Sequence, residues 1–368
     1  MKLLHNRLFQ GTVWLLLLFA VIWLGQQISF VFQPVVVLIT TIFLPFLVAG
    51  ILFYLTDPIV SGMQRLRWPR TAAIIAVYVF LGGLILLAVL WLVPLLERQL
   101  TNLATNAPSI LRQLDTYIRE FQESTFFSKF HRFEFFRKWS EIDYIGVVDT
   151  VLESIASNLV GFIGSVANVA VALFTVPILL FYMLRDGHKL PNFVAKAFPQ
   201  AYRQKVIDVF YSIHTTISSY VQGMIVVCLF VGLIVYVGLR IIGLDYALLF
   251  AAVAMVTEII PYFGPVAGAI PALIVGLMVS PWTAVKVLIV FVIAQQAESH
   301  LISPLVLGKK LNMHPVTIIV TLLTAGSMAG IVGMILGVPV FAVGKVLITH
   351  LVSLVREIRR ETAAGIDK

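Results

Sequence analysis

Apolar residues fill long uninterrupted runs along this chain, and polar residues gather in the stretches between them. A run of about 20 mostly apolar residues is enough for a helix to cross the hydrocarbon core of a bilayer. Such runs cover 12–30, 35–55, 71–95, 158–184, 223–242 and 282–297. Two composite regions, 247–279 and 315–351, are equally apolar but are interrupted by Gly and Pro. The pattern predicts an all-α polytopic membrane helix bundle of about eight membrane segments. Its C-terminal half should contain broken or re-entrant helices. Lys2 and Arg7 precede the first run, but no small-x-small cleavage site follows it at Gly25-Gln26-Gln27. The first run therefore reads as an uncleaved membrane helix.

Charge between the runs orients the bundle. Arg65, Arg67 and Arg70 crowd the second loop, and Arg185, Lys189, Lys196, Arg203 and Lys205 follow the fourth run. Excess Lys and Arg marks cytoplasmic loops. Residues 97–157 hold seven Lys/Arg against nine Asp/Glu and belong on the opposite side. The expected organisation is an N-terminal unit of three membrane helices (1–96), an extracytoplasmic helical insert (97–157), a C-terminal membrane bundle (158–355) with a cytoplasmic loop at 185–213, and a cytoplasmic tail (356–368). Both termini are then cytoplasmic.

Within the insert, Leu96, Leu100, Leu103, Ala107, Ile110, Leu114, Tyr117 and Phe121 recur at steps of four and three, a heptad stripe. It serves either packing within the chain or self-association. Pro108 predicts a break, with the third span ending near Asn106 and a new helix starting at the proline. Beyond it Phe126, Phe127, Phe130, Phe133, Phe135 and Phe136 alternate with Lys129, Arg132, Arg137 and Lys138. That mixture suits a segment lying at the headgroup level.

Composition closes several other routes. The chain is 60% hydrophobic and 12% charged, with mean hydropathy +0.99, too little charge for a soluble surface. Its net charge of +8 follows membrane orientation and does not point to nucleic acid. Cys228 is the only cysteine, so no intramolecular disulfide is possible, and no Cys/His cluster suggests a metal. No GxxxxGK[ST] offers an ATP-driven engine, and neither HExxH nor GxSxG suggests an enzyme. No cofactor is expected.

Polar groups at membrane depth remain as candidate chemistry. Glu258 lies within 248–271, LLFAAVAMVTEIIPYFGPVAGAIP, just before a break made by Pro261, Gly264 and Pro265. An ionisable group at mid-membrane costs roughly 2.5–3.5 kcal/mol on insertion scales, and non-helical backbone survives there only against protein or a water-filled cavity. Glu258 either binds a proton, cation or polar solute, or is a carboxyl held by backbone near one interface. Gln295, Glu298 and Ser299 share one helix face, and either line a polar pocket or mark a helix end. Tyr262 and Phe263 either gate a path or pack. Two topologies fit 247–279: one broken helix, or a re-entrant hairpin that keeps Lys309 and Lys310 inside. The positive-inside bias favours the hairpin. Region 315–351 offers a parallel, with Gly268-x-x-Pro271 set against Gly337-x-Pro339, as in the internal repeats of transporters.

Several strings carry a resemblance. FYMLRDGHKL at 181–190, GLDYALLFA followed by TEIIPYFGPVAGAIPA, ESHLISPLVLGKKLNMHPVTIIV and the loop TDPIVSGMQRLRWPR together resemble the autoinducer-2 exporter family of bacterial membrane proteins, over 12–355. The resemblance implies export of autoinducer-2, a small furanone-type signal, through a homo-oligomer in the bacterial cytoplasmic membrane. It also implies, for some members, sodium/proton antiport. The matched positions are Glu258, Pro261, Gly264, Pro265, Glu298, Pro304 and Pro315. The expected function is secondary transport of a small molecule or ion, with a pathway formed by Glu258, Pro261, Tyr262, Gly264, Pro265, Gln295 and Glu298. Phe263, Ser299, Pro304 and Pro315 would gate or pack. The rival readings are a Na+(Li+)/H+ antiporter and a non-transport envelope scaffold built on the heptad stripe.

Overall fold

A computed structural model describes residues 29–123, 170–306 and 313–366, with Gly146 and a few helical positions of the first run. The Phe-rich stretch, Lys309-Lys310, most of the first run and 158–169 of the fourth lie outside the described residues. The described residues form helices and no strands. Among the described residues, five helices are long and apolar enough to cross a membrane.

The N-terminal unit packs α1 (Ser29–Arg65), α2 (Arg70–Leu87) and α4 (Ala170–Asp186) around Ala49, Phe53, Val60, Ile74, Val77, Leu180 and Leu184. Arg70 locks one end. Its Nε donates to Leu184 O at 2.6 Å and its Nη1 to Gln64 Oε1 at 2.8 Å, and Asp57 stands 3.6 Å away. A cation at the C-terminal carbonyls of α4 is favoured by the helix dipole.

Past α2 the chain widens into a π-turn, Ala88–Leu92, and continues as α3, Val93–Glu123. The break expected at Pro108 is absent, because α3 runs through it. Proline removes one N–H and frees one carbonyl, and on a helix beyond the hydrocarbon water can meet that carbonyl. The first turns of α3 pack on the C-terminal bundle. Leu100 and Leu103 enter its core, Gln99 Oε1 accepts the Leu249 backbone N–H at 3.0 Å, and Asn106 Nδ2 donates to the Tyr246 hydroxyl at 2.9 Å.

The spine of the C-terminal bundle is α6, Arg203–Ile242, 40 residues long and so about 60 Å. It is preceded by the short α5, Leu190–Ala195. The fifth apolar run, 223–242, is only its second half. The first half carries Asp208, His214, Thr216 and Gln222 and gives no hydropathy signal. Gln222 joins the two units. Pro58 inside α1 removes the N–H that would bond Tyr54 O, and Gln222 Nε2 donates to that carbonyl at 2.8 Å.

After α6 the chain turns at Gly243 and enters α7 (Ala247–Thr257), reverses, and returns as α8 (Phe263–Val279). At 11 residues α7 reaches only about 16 Å, roughly half the hydrocarbon thickness. The pair is a hairpin. A Cβ added at Gly268 would stand 2.7 Å from Ala254 Cα, and one at Gly264 would strike Thr257 O. These contacts exist only if α8 lies back along α7. The hairpin is the alternative that the positive-inside bias favoured.

From Ser280 the chain runs as α9 (Pro281–Ala297), a second π-turn (Glu298–Ile302) and α10 (Ser303–Val306). The last element, α11 (Pro315–Ile366), is two arms joined at Ala329 and Gly330, with Gly330 at φ +59°. It also doubles back: a Cβ at Gly333 would strike Ala325 O, and one at Gly337 would stand 3.0 Å from Ala325 Cβ.

Contacts along α6 place the two hairpins. A Cβ at Gly232 would meet Met255 at 2.9 Å, so α7 descends antiparallel to α6 from its C-terminal end. His350 Nε2 lies 3.2 Å from Ser212 Oγ, while Val338 clusters with Tyr220, so the second arm of α11 runs antiparallel to α6 toward its N-terminal end. The hairpins thus enter from opposite ends of the bundle. The tip of the first lies beside the middle of α6, where Ile260 packs with Leu322 and Val338 on the arms of the second and with Tyr220.

Candidate functional site

Where the first tip meets the arms of the second hairpin, α6, α9 and the hairpins enclose a cavity of about 410 Å³. Tyr220, Met224 and Val227 of α6 form one wall, and Glu258, Pro261 and Tyr262 come from the first hairpin tip. Gln295, Glu298, Ser299, Ser303 and Pro304 form the opposite wall, and Met313, Ile318 and Val338 close it. The size falls within the range of small-molecule sites. Two acidic residues, Glu258 and Glu298, line the space, and no Lys, Arg or His is among the described residues that line it.

The first carboxylate is Glu258, on the turn that ends α7. Its backbone is satisfied by Ala254 O at 3.0 Å, and the tip continues through Ile260 N–H to Thr257 O (3.1 Å) and Gly264 N–H to Ile260 O (2.9 Å). The Thr257 hydroxyl ties the return strand down by donating to Gly264 O at 3.0 Å. Tyr262 sits at φ +65°, ψ −31°, a conformation that costs a non-glycine residue about 1–3 kcal/mol. Close packing of Gly264 and Gly268 holds it there. The Glu258 side chain is only 3% exposed. Its Oε2 is the one buried side-chain polar atom among the described residues with no hydrogen-bond partner. Buried polar atoms nearly always find a partner, and an exception calls for a reason.

The second carboxylate, Glu298, has the opposite surroundings. Its Oε2 accepts from Gln295 Nε2 at 2.7 Å and from Ser299 Oγ at 2.8 Å, and its Oε1 accepts from Ser303 Oγ. Three donors converge because the π-turn Glu298–Ile302 shifts the helix register just here; such turns are frequent at functional sites. Glu298 is fully supported and Glu258 is not, although both face one space.

Of the residues singled out from sequence, Glu258, Pro261, Tyr262, Gln295, Glu298, Ser299 and Pro304 come together on the cavity wall. Gly264 lies behind the wall, as a contact surface for α7. Phe263, Pro265 and Pro315 are not part of the wall. Sequence reasoning missed Tyr220, Met224, Val227, Ser303, Met313, Ile318 and Val338. Most of them stand in apolar runs, where nothing local sets them apart, but Ser303 lies five residues after Glu298 and extends the same polar face.

Known proteins agree with this architecture. The model of the AI-2E family transporter matches residues 13–353. A candidate transport protein of Bacillus subtilis, YueF, is 38% identical over 355 residues, covering 96% of each chain. A second from that organism, YrrI, is 30% identical over 342 residues, 92% of this chain and 95% of its own. A candidate permease of Escherichia coli K12, PerM, is 23% identical over 320 residues, 83% of this chain and 86% of its own. A match along nearly the whole length, over a multi-pass helical membrane fold, settles the assignment: the chain belongs to the AI-2E transporter family.

Proposed function

We propose that this permease is a secondary transporter that exports a small polar solute such as autoinducer-2, without ATP, through the cavity between the two hairpins. The observation that carries the reading is Glu258: a buried carboxylate with an unpartnered oxygen, facing a solute-sized space. A group of that kind is costly unless something binds it. A hydroxyl-bearing solute or a proton would supply the missing donor. Glu298, Gln295, Ser299 and Ser303 form a pre-organised polar wall opposite, while Met224, Val227, Ile318 and Val338 offer an apolar one. Oppositely inserted hairpins beside a mid-membrane site recur in secondary transporters, and movement of either tip would open the cavity to one side. The reading places the protein in the bacterial cytoplasmic membrane with both termini in the cytoplasm, as a homo-oligomer.

The test is transport of autoinducer-2 into everted vesicles that contain wild type or the Glu258→Gln variant. Uptake should vanish in the variant while the folded protein stays in the membrane. Unchanged flux would sink the assignment of Glu258. A second reading, Na+(Li+)/H+ antiport, is favoured by one observation: two acidic residues line the cavity. Proton movement driven by sodium or lithium in the same vesicles, with no autoinducer-2 flux, would select it.

A further inference from the structure

The end of the bundle that holds the Arg65–Arg70 loop carries a feature separate from the cavity. That loop and the segment 185–205 lie together, because Arg70 bonds Leu184 O and the Phe53 ring lies 3.8 Å from where a Gly187 Cβ would stand. Here α5, Leu190–Ala195, seats Ala195 inward at 2% exposure. Leu190 and Phe193, three residues apart and so on one face, are 53% and 74% exposed. Leu66 and Trp68 of the adjoining loop are also exposed.

Basic side chains surround this apolar face. Residues 185–205 hold Arg185, Lys189, Lys196, Arg203 and Lys205 against Asp186 alone. Asp186 is already taken, bonded to Lys189 at 2.7 Å and Arg185 at 2.9 Å, contacts that hold its carboxyl below the usual range. Arg65, Arg67 and Lys196 have no acidic partner among the described residues. Along α4, just before this segment, Phe174, Ile178 and Tyr182 follow each other at four-residue steps, all more than half exposed. The stripe ends where Arg185 stacks over the Phe181 and Tyr182 rings, at 5.5 and 5.2 Å.

We propose that α5 and the Arg65–Arg70 loop form a docking surface for anionic phospholipid headgroups, with Leu190 and Phe193 set among the acyl chains and Arg67 and Lys196 on the phosphates. Apolar insertion beside unpaired bases is the arrangement that binds an anionic leaflet. The surface shares no residue with the cavity, so it stands whatever solute is carried.

The experiment uses the full chain in nanodiscs of equal phosphatidylglycerol and phosphatidylcholine, released into native mass spectrometry to count retained lipids. Wild type should keep phosphatidylglycerol in preference. Each basic side chain near an anionic surface contributes about five-fold, so the exposed pair R67Q/K196Q should reduce the preference by about 25-fold. Phe193→Ser should lower retention of both lipids. Equal retention by wild type would overturn the proposal, as would an undiminished preference in a monodisperse R67Q/K196Q protein.

Discussion

Replacing Glu258 by methionine should make this protein more stable while removing its activity. The native carboxyl is 3% exposed and leaves Oε2 without a partner. An unsatisfied buried polar atom costs about 1–3 kcal/mol, more if it is charged. Methionine has nearly the same length, and Met224 and Met313 already line the wall beside it. The substitution therefore removes the penalty without opening a large cavity. A gain of about 1–3 kcal/mol corresponds to about 1–4 °C in apparent melting temperature for a chain of this size. Thermal unfolding of purified protein, followed by tryptophan fluorescence, reads the shift, and everted vesicles read the flux. Glu258→Gln should gain less, since the amide still needs partners. A Met variant destabilised by more than about 1 kcal/mol would refute the reasoning, because it would mean that the carboxylate holds the hairpin tip together. Stability and function oppose each other at sites that bind through unsatisfied groups.

Three further outcomes follow from the packing. Gln222→Ala should cost about 1–3 kcal/mol by orphaning Tyr54 O, and Pro58→Ala should rescue it by restoring the helix N–H; a double-mutant cycle on melting temperature shows whether the two positions couple. Gly330→Ala meets no atom within 4 Å but enters a region that non-glycine residues avoid, at φ +59°, ψ −141°, and should cost about 1–3 kcal/mol. Gly333→Ala, which drives a methyl into Ala325 O, should cost clearly more in the same assay. In a Cys228→Ser background, a membrane-impermeant thiol reagent should label Ser280→Cys from the side that labels Asp245→Cys, and never from the side of the Arg65–Arg70 loop.

Much of this architecture could be read from local sequence. The long apolar runs marked the helices, and Pro261, Gly264 and Pro265 marked the first hairpin tip, because backbone chemistry alone breaks a helix there. The charge of Lys309 and Lys310 favoured a hairpin over one broken helix. What local sequence hid was non-local. Gln99 and Gln222 look like ordinary surface amides until the carbonyl or N–H they satisfy is known, and those groups lie far away in the chain. Pro108 misled because the penalty for proline depends on whether the freed carbonyl can find water. The polar half of α6 was read as loop because hydropathy reports lipid contact and not helicity. At the site, the carboxylates announced themselves by their cost, whereas Tyr220 and Val338 acquire their place only when two hairpins meet.

The bond from Gln222 to Tyr54 O has a consequence for inheritance. Pro58 is tolerable only in a chain that supplies a donor from α6, and without the proline that glutamine keeps only its bond to Ser218 Oγ. The two codons should therefore drift together among relatives: lineages that lose the proline release position 222 to vary, while those that keep it hold an amide or another donor there. An otherwise local kink in one half of the protein would thus leave its signature in the other as a pair of co-varying columns.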